Sequence, residues 1–194
     1  MTFHVSAHCS ATAGETPARQ AEAAVESSPT VTPEQYRGAF RRHPGGVVVI
    51  TMSSPSGPVG FTATSFVSLS LDPPLASFNI THVSSSIAAL SAASSAIVHV
   101  LSDDQAHLAA RFARDAAQRF ADLSSWSLLP TGEPVLHGTR TWFRIGDLVH
   151  IPAGDSVLVI ARIVAIHCEA DARPSRPLVY HEGRFQAVAP LDEA

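Results

Sequence analysis

The order of the apolar runs constrains this chain more than any other feature. Six or more short stretches rich in β-branched and aromatic residues follow one another, with only short helical patterns between them. They begin at Val47-Val48-Val49-Ile50-Thr51-Met52, continue through an extended stretch over residues 59–71, and resume over 75–80 after Asp72-Pro73-Pro74. Residues 96–101, 139–151 and 156–168 extend the series, and 178–180 and 185–188 flank a His181-Glu182-Gly183-Arg184 turn. A doubly wound parallel sheet needs strand and helix in regular alternation, which is missing here. The pattern predicts a mainly β fold, an antiparallel β-barrel with a few helices on its ends.

The helical signals are short and well punctuated. Thr32-Pro33-Glu34-Gln35 is a capping box with proline at the first helical position, Tyr36 and Phe40 lie one turn apart, and His43-Pro44-Gly45-Gly46 ends the run. Ser84-Ser85-Ser86 leads into Ile87-Ala88-Ala89-Leu90 as a cap and short helix. Ser102 and Gln105 form a second capping box, opening a helix through Leu108 and Phe112. Residues 115–134 read as loop and short helix.

Residues 1–31 are rich in Ala, Ser, Thr, Glu and Pro and nearly devoid of large apolar side chains, so a flexible N-terminal tail is expected, followed by one folded domain over 32–190. The 194 residues, 45% of them hydrophobic, suffice for a single core. A formal charge of −4 offers no basis for nucleic-acid binding. All 13 basic residues are arginine, which excludes Schiff-base, pyridoxal-phosphate and phosphate-loop lysine chemistry. Cys9 and Cys168 are too few for a disulfide framework or a four-thiolate zinc site, and the ten histidines are scattered, so no metal is expected. No apolar run approaches the roughly 20 residues of a membrane span, and no signal peptide is evident. These readings predict a reduced, cytoplasmic protein with no membrane association.

Two segments carry candidate binding chemistry. Gly60-Phe61-Thr62-Ala63-Thr64-Ser65-Phe66-Val67-Ser68-Leu69-Ser70 sets hydroxyls along a strand; on a regular strand Thr62, Thr64, Ser68 and Ser70 share one face. That face is either a solvated edge or a platform on which a flat ligand lies against backbone amides. Ser84-Ser85-Ser86 at a helix start offers hydroxyls and free N–H groups for a phosphate, or ordinary capping. Together they describe a ligand with a planar head and a phosphate tail. There is no Gly-x-Gly-x-x-Gly fingerprint, phosphate loop or nucleophile elbow, and His99, within Ile97-Val98-His99-Val100, reads as a hydrogen-bonded barrel residue.

In order, these segments resemble the short-chain flavin reductase family, the FMN-binding split-barrel reductase components of two-component flavin monooxygenases. The resemblance runs over about residues 36–187. It is carried by Phe40-Arg41-Arg42-His43-Pro44-Gly45-Gly46-Val47-Val48-Val49-Ile50-Thr51 and by Gly60 through Ser70 with Leu71-Asp72-Pro73-Pro74-Leu75. Further on it includes Val98-His99-Val100-Leu101 with Gln105, Leu108 and Phe112-Ala113, then Ala153-Gly154-Asp155 and Tyr180-His181-Glu182-Gly183-Arg184-Phe185. The resemblance implies a six-stranded antiparallel Greek-key barrel, a homodimer, and flavin (FMN or FAD) near the subunit interface. It implies flavin contacts from Thr62, Ala63, Thr64, Ser65 and Ser68, from Asn79 and Ile80, from Ser84, Ser85 and Ser86 at the phosphate, and from Phe112, Ala113 and Arg114 in a closing loop. In two respects the chain departs from the family: the phosphate region lacks the basic residue many relatives carry, which implies a loosely held, exchangeable flavin, and Gly154-Asp155-Ser156 stands where Gly-Asp-His is usual, on the side that receives the nicotinamide. Ser156, with His181 as a substitute imidazole, is the candidate there, and no catalytic acid or base is assigned.

The function implied is an NAD(P)H:flavin oxidoreductase, with NADH or NADPH as co-substrate, that supplies reduced flavin to a partner monooxygenase by diffusion. Two alternatives remain on the same fold: a flavin-retaining oxidase, oxygenase or tailoring enzyme, motivated by Ser156, and a non-catalytic flavin or haem carrier.

Overall fold

The computed structural model describes residues 31–169 and 175–189. The expected tail, with His4, His8 and Cys9, lies outside the described residues apart from its last position. The chain divides after Phe40 into two units. In the first, helix α1 (Pro33–Phe40) starts at the expected capping box: Gln35 N–H donates to Thr32 Oγ1 (3.2 Å) and Thr32 N–H to Gln35 Oε1 (2.9 Å). Tyr36 and Phe40 stack one turn apart with ring centroids 4.4 Å from each other.

The second unit is built on one antiparallel sheet. Its strands are β2 (Val48–Ser54), β3 (Gly57–Ala63), β4 (Val67–Ser70), β5 (Leu75–Thr81), β6 (Ser95–Val100), β9 (Thr141–Ala153) and β10 (Ser156–Cys168). They lie in the order β3-β2-β6-β9-β10-β5-β4. The two edge strands, β3 and β4, follow each other in the chain, yet no ladder joins them, and β3 comes back against β5. The sheet therefore curls into a barrel that stays split between β3 and β4. β1 (Gly45–Gly46) pairs with β11 (Leu178–His181), which pairs with β12 (Arg184–Ala187); β7 (Trp126–Leu128) and β8 (Pro134–Leu136) form a separate hairpin.

The extended stretch expected over 59–71 is not one strand. Ser65 leaves the β3 line and its hydroxyl receives the Asn79 N–H (3.0 Å), so the chain crosses from pairing with β2 to pairing with β5. Thr62 and Thr64 thus do not share a strand face with Ser68 and Ser70, a correction to the regular-strand expectation.

The core lies on both sides of β2. Val48, Ile50 and Met52 point into the barrel with Phe61, Phe78, Ile80, Val98, Ile145 and Val159. Val47 and Val49 face the other way, onto Leu101, Leu108, Ala109, Phe112 and Leu136. A strand covered on both faces reads as a continuous apolar run, which is why residues 47–52 do not alternate. Helix α2 (Ile87–Ala92) contributes Leu90 to the barrel core, and α3 (Ala106–Phe112), preceded by the expected Ser102/Gln105 capping box, covers the outside of β2 and β3. Two buried polar groups tie the β7–β8 hairpin to this frame. Glu133 accepts from Ser95, Thr131 and Arg144 Nε (2.8 Å), and Thr51 Oγ1 donates to Pro134 O (2.5 Å).

Candidate functional site

A cavity of about 450 Å³ opens where the barrel is split. β3 and the break after it supply Phe61, Thr62, Ala63, Thr64 and Ser65; β5 supplies Asn79, Ile80 and Thr81. Ser84 and Ser85 come from the turn before α2, Phe112 and Ala113 from the end of α3, and Arg119 from the segment beyond it. Phe61, Ala63, Ile80 and Phe112 are themselves buried, so the wall is firm and apolar while the rim carries hydroxyls and an amide.

Each wall has a sequence cause. Gly60 allows α3 to sit close: a Cβ there would lie 2.9 Å from both Ile50 O and Phe112 Cε1. Thr62 Oγ1 donates to Ala109 O (2.7 Å), fastening α3 to β3. Gly45 performs the same service on the other side, since a Cβ there would stand 2.6 Å from Thr64 O.

Arg119 is the charged group among the described lining residues, and it is only 9% exposed. Its Nη1 donates to Gly60 O (2.8 Å), Ser86 Oγ (3.1 Å) and Ser85 Oγ (3.3 Å). Its Nη2 and Nε both donate to Arg114 O, at 2.7 and 3.2 Å. Burial pushes the guanidinium below its ordinary pKa and the Asp115 carboxylate pulls the other way; an arginine so placed stays protonated. The cavity therefore gathers a cation, serine hydroxyls and the hydroxyl-bearing end of β3 around one apolar wall. No carboxylate, imidazole or thiol is among its described lining residues.

The flavin reductase like domain family matches residues 40–189 of the chain. The chain belongs to this family. It is 54% identical over 169 residues to an NADH:FMN oxidoreductase of Rhodococcus erythropolis, covering 87% of this chain and 88% of that one. It is 31% identical to HsaB of Rhodococcus jostii, the reductase subunit of a flavin-dependent monooxygenase, over 82% of this chain and 80% of the relative. The crystal structure of a flavin reductase domain protein from Arthrobacter sp. FB24 superposes with a TM-score of 0.77 at 33% identity, over 84% of this chain and 99% of that one.

Within this flavin reductase domain, the structure brings ten of the residues expected from the sequence to one cavity: Thr62, Ala63, Thr64, Ser65, Asn79, Ile80, Ser84, Ser85, Phe112 and Ala113. Ser86 is fully buried behind it, its hydroxyl donating to Gly60 O (3.3 Å) instead of capping α2. Ser68 sits on β4 opposite Ala76 and Arg114 is exposed; neither lines the cavity, and Arg114 contributes its carbonyl to Arg119. Ser156 is outside the lining too: its hydroxyl donates to Asp155 Oδ1 (2.9 Å) at the Gly154 turn. His181 pairs with Arg184 in the β11–β12 hairpin, also outside the lining.

Phe61 and Thr81 line the cavity as well, and Arg119 corrects the expectation that the phosphate region lacks a basic residue: its guanidinium reaches the serine turn from 33 and 34 residues away. Its signal was slight. Arg119 directly precedes Phe120, whose ring meets Phe112 edge-on (5.1 Å) and Trp126 (5.4 Å); an aromatic anchored at 120 fixes where its neighbour enters the protein.

Proposed function

We propose that this chain binds a flavin in the split of its barrel and reduces it with a nicotinamide nucleotide, passing reduced flavin to a partner monooxygenase. The observation that carries the reading is the buried Arg119 guanidinium on Ser85 and Ser86, in one cavity with Ser84, Thr62, Thr64 and Ser65. That donor set fits a dianionic phosphate at one end and a flat, hydrogen-bonding ring system at the other. When bound, a flavin supplies the redox chemistry, accepting hydride from the nicotinamide and later passing electrons to dioxygen.

The protein's own task is then binding and orientation. Arg119 and the serines hold the phosphate, Phe61, Ile80 and Phe112 give the ring an apolar wall, and Asn79 and Thr81 present polar groups along the β5 side. A described lining that holds no carboxylate, imidazole or thiol suits chemistry that resides in the cofactor. The described lining has no imidazole, thiol, thioether or phenol to serve as an axial ligand, which weighs against a haem carrier and leaves a flavin carrier to be separated by turnover. The names of the Rhodococcus erythropolis relative and of HsaB make NADH, FMN and a monooxygenase partner the first set to test. A reductase of this kind works in the cytoplasm, where reduced nicotinamide nucleotides are held.

The chain is also read as a homodimer. Ile151 on β9 and Leu158 on β10 lie beside Asn79 in the sheet, and Val149 and Ile160 lie beside Ser77 and Val67. These cross-strand neighbours share the outer face. Val67 (55%), Val149 (54%) and Ile151 (41%) are exposed there, and the face runs into the cavity at Asn79. A second copy laid on it would bury apolar surface and border the flavin.

The test is steady-state oxidation of NADH and NADPH with and without added FMN, FAD and riboflavin. Turnover that depends on a flavin is expected. Flavin that stays bound through purification, with little nucleotide oxidation, would favour the oxidase reading motivated by Ser156, whose hydroxyl is turned onto Asp155.

A further inference from the structure

Between two fixed aromatic anchors, Phe112 and Phe120, the chain makes a strap whose residues 113–118 are all exposed. The strap is folded on itself. Asp115 accepts from Ala117 N–H (3.1 Å), and the backbone turns Gln118 to Asp115 (3.1 Å) and Arg119 to Ala116 (3.3 Å) complete a compact unit. Its one long reach is Arg119, which binds the strap's own Arg114 carbonyl twice and, through Nη1, the barrel at Gly60 and the serine turn at Ser85 and Ser86. Nη1 has two protons for three acceptors, at 2.8, 3.1 and 3.3 Å. Ser85 Oγ, the most distant, belongs to a cavity-lining residue and is the acceptor that an anion displaces most cheaply.

We propose that Arg119, in binding a phosphate in the cavity, transmits that binding to the 113–118 strap and raises its order. This rests on the flavin reading above. A phosphomonoester taking the Ser85 place on Nη1 gives the buried guanidinium a counter-charge, and the grip of Nη2 and Nε on Arg114 O carries that stabilisation to the strap. A flavin without phosphate fills the ring end of the cavity and leaves the order of the strap unchanged. The strap thus distinguishes phosphorylated from unphosphorylated flavin by order as well as by affinity, and release of flavin requires it to loosen.

Hydrogen exchange of the 113–119 amides, followed by mass spectrometry on the full chain, reads the strap directly. It is measured without ligand and with saturating FMN, riboflavin or inorganic phosphate, while binding of each flavin is followed by its fluorescence. FMN is expected to slow exchange in the strap by roughly 10-fold or more, inorganic phosphate to do so in part, and riboflavin not at all. Arg119→Gln should abolish the FMN effect and weaken FMN, but not riboflavin, by roughly 10- to 100-fold. Arg119→Lys keeps the charge without the two-point hold on Arg114 O; it should recover FMN affinity in part while strap protection stays lost. Equal protection by riboflavin and FMN, or full protection by FMN in Arg119→Lys, overturns the proposal even if both flavins bind. Failure of every flavin to bind overturns the flavin reading and this inference with it.

Discussion

His99 shows how a single side chain joins separate parts of this barrel. It is buried on β6; Leu136 N–H donates to its Nε2 (3.0 Å), so the proton sits on Nδ1, which donates to Val49 O (3.1 Å). Burial, only partly opposed by the Val49 bond, pushes its pKa down from 6.5 to about 4. The folded protein therefore binds this proton more weakly than the unfolded chain, and stability present above about 6.5 is lost as pH falls toward 4. The loss is on the order of 3 kcal/mol across that window. Glu133, Asp104 and Asp122 have lowered pKa values, and their contributions fade only in the carboxylate range below it. Urea denaturation at pH 7 and pH 5 should show the wild type weakened at pH 5, and a His99→Gln variant, less stable at pH 7, should show a flatter profile over the same interval. The apolar neighbours in Ile97-Val98-His99-Val100 made this role legible in the sequence. Arg119 was not legible, because its burial depends on Phe120 packing and on the carbonyls of Gly60 and Arg114, contacts 59 and 5 residues away.

At the scale of elements, the cavity depends on how closely α3 approaches β3. Gly60→Ala puts a Cβ 2.9 Å from a backbone oxygen and from the Phe112 ring, and the backbone oxygen cannot give way easily. Displacement of α3 should cost roughly 1–3 kcal/mol, read as a lower melting temperature, and should weaken flavin binding with it. Gly45→Ala is expected to act on the other wall. Its Cβ would stand 2.6 Å from the Thr64 backbone oxygen on the cavity rim, so both the melting temperature and flavin affinity should fall. The strands themselves were readable because β-branched runs and capping boxes are local signals. The break at Thr64-Ser65-Phe66 was not, because it is made by Ser65 meeting Asn79, a contact across 14 residues. The β7–β8 hairpin was missed for a related reason: three-residue strands held by Glu133 and Thr51 carry almost no pattern of their own.

For the whole molecule, the outer face of β9 and β10 is where a second copy is expected. Charged substitution there, in a Val149→Lys, Ile151→Lys double variant, should leave a folded monomer by sedimentation equilibrium with weakened flavin binding, since the face borders Asn79. A dimer unaffected by these changes would place the interface elsewhere. The architecture as a whole was legible from the order of its apolar runs, and the split of the barrel is what gives that architecture a site. An anaerobic titration of FMN with NADH decides whether the site reduces flavin. With catalytic amounts of protein present, the flavin's visible absorption should bleach in step with each equivalent of NADH, far faster than without protein. Bleaching no faster than in the protein-free control, with NADH and NADPH alike, would show that the site does not reduce flavin.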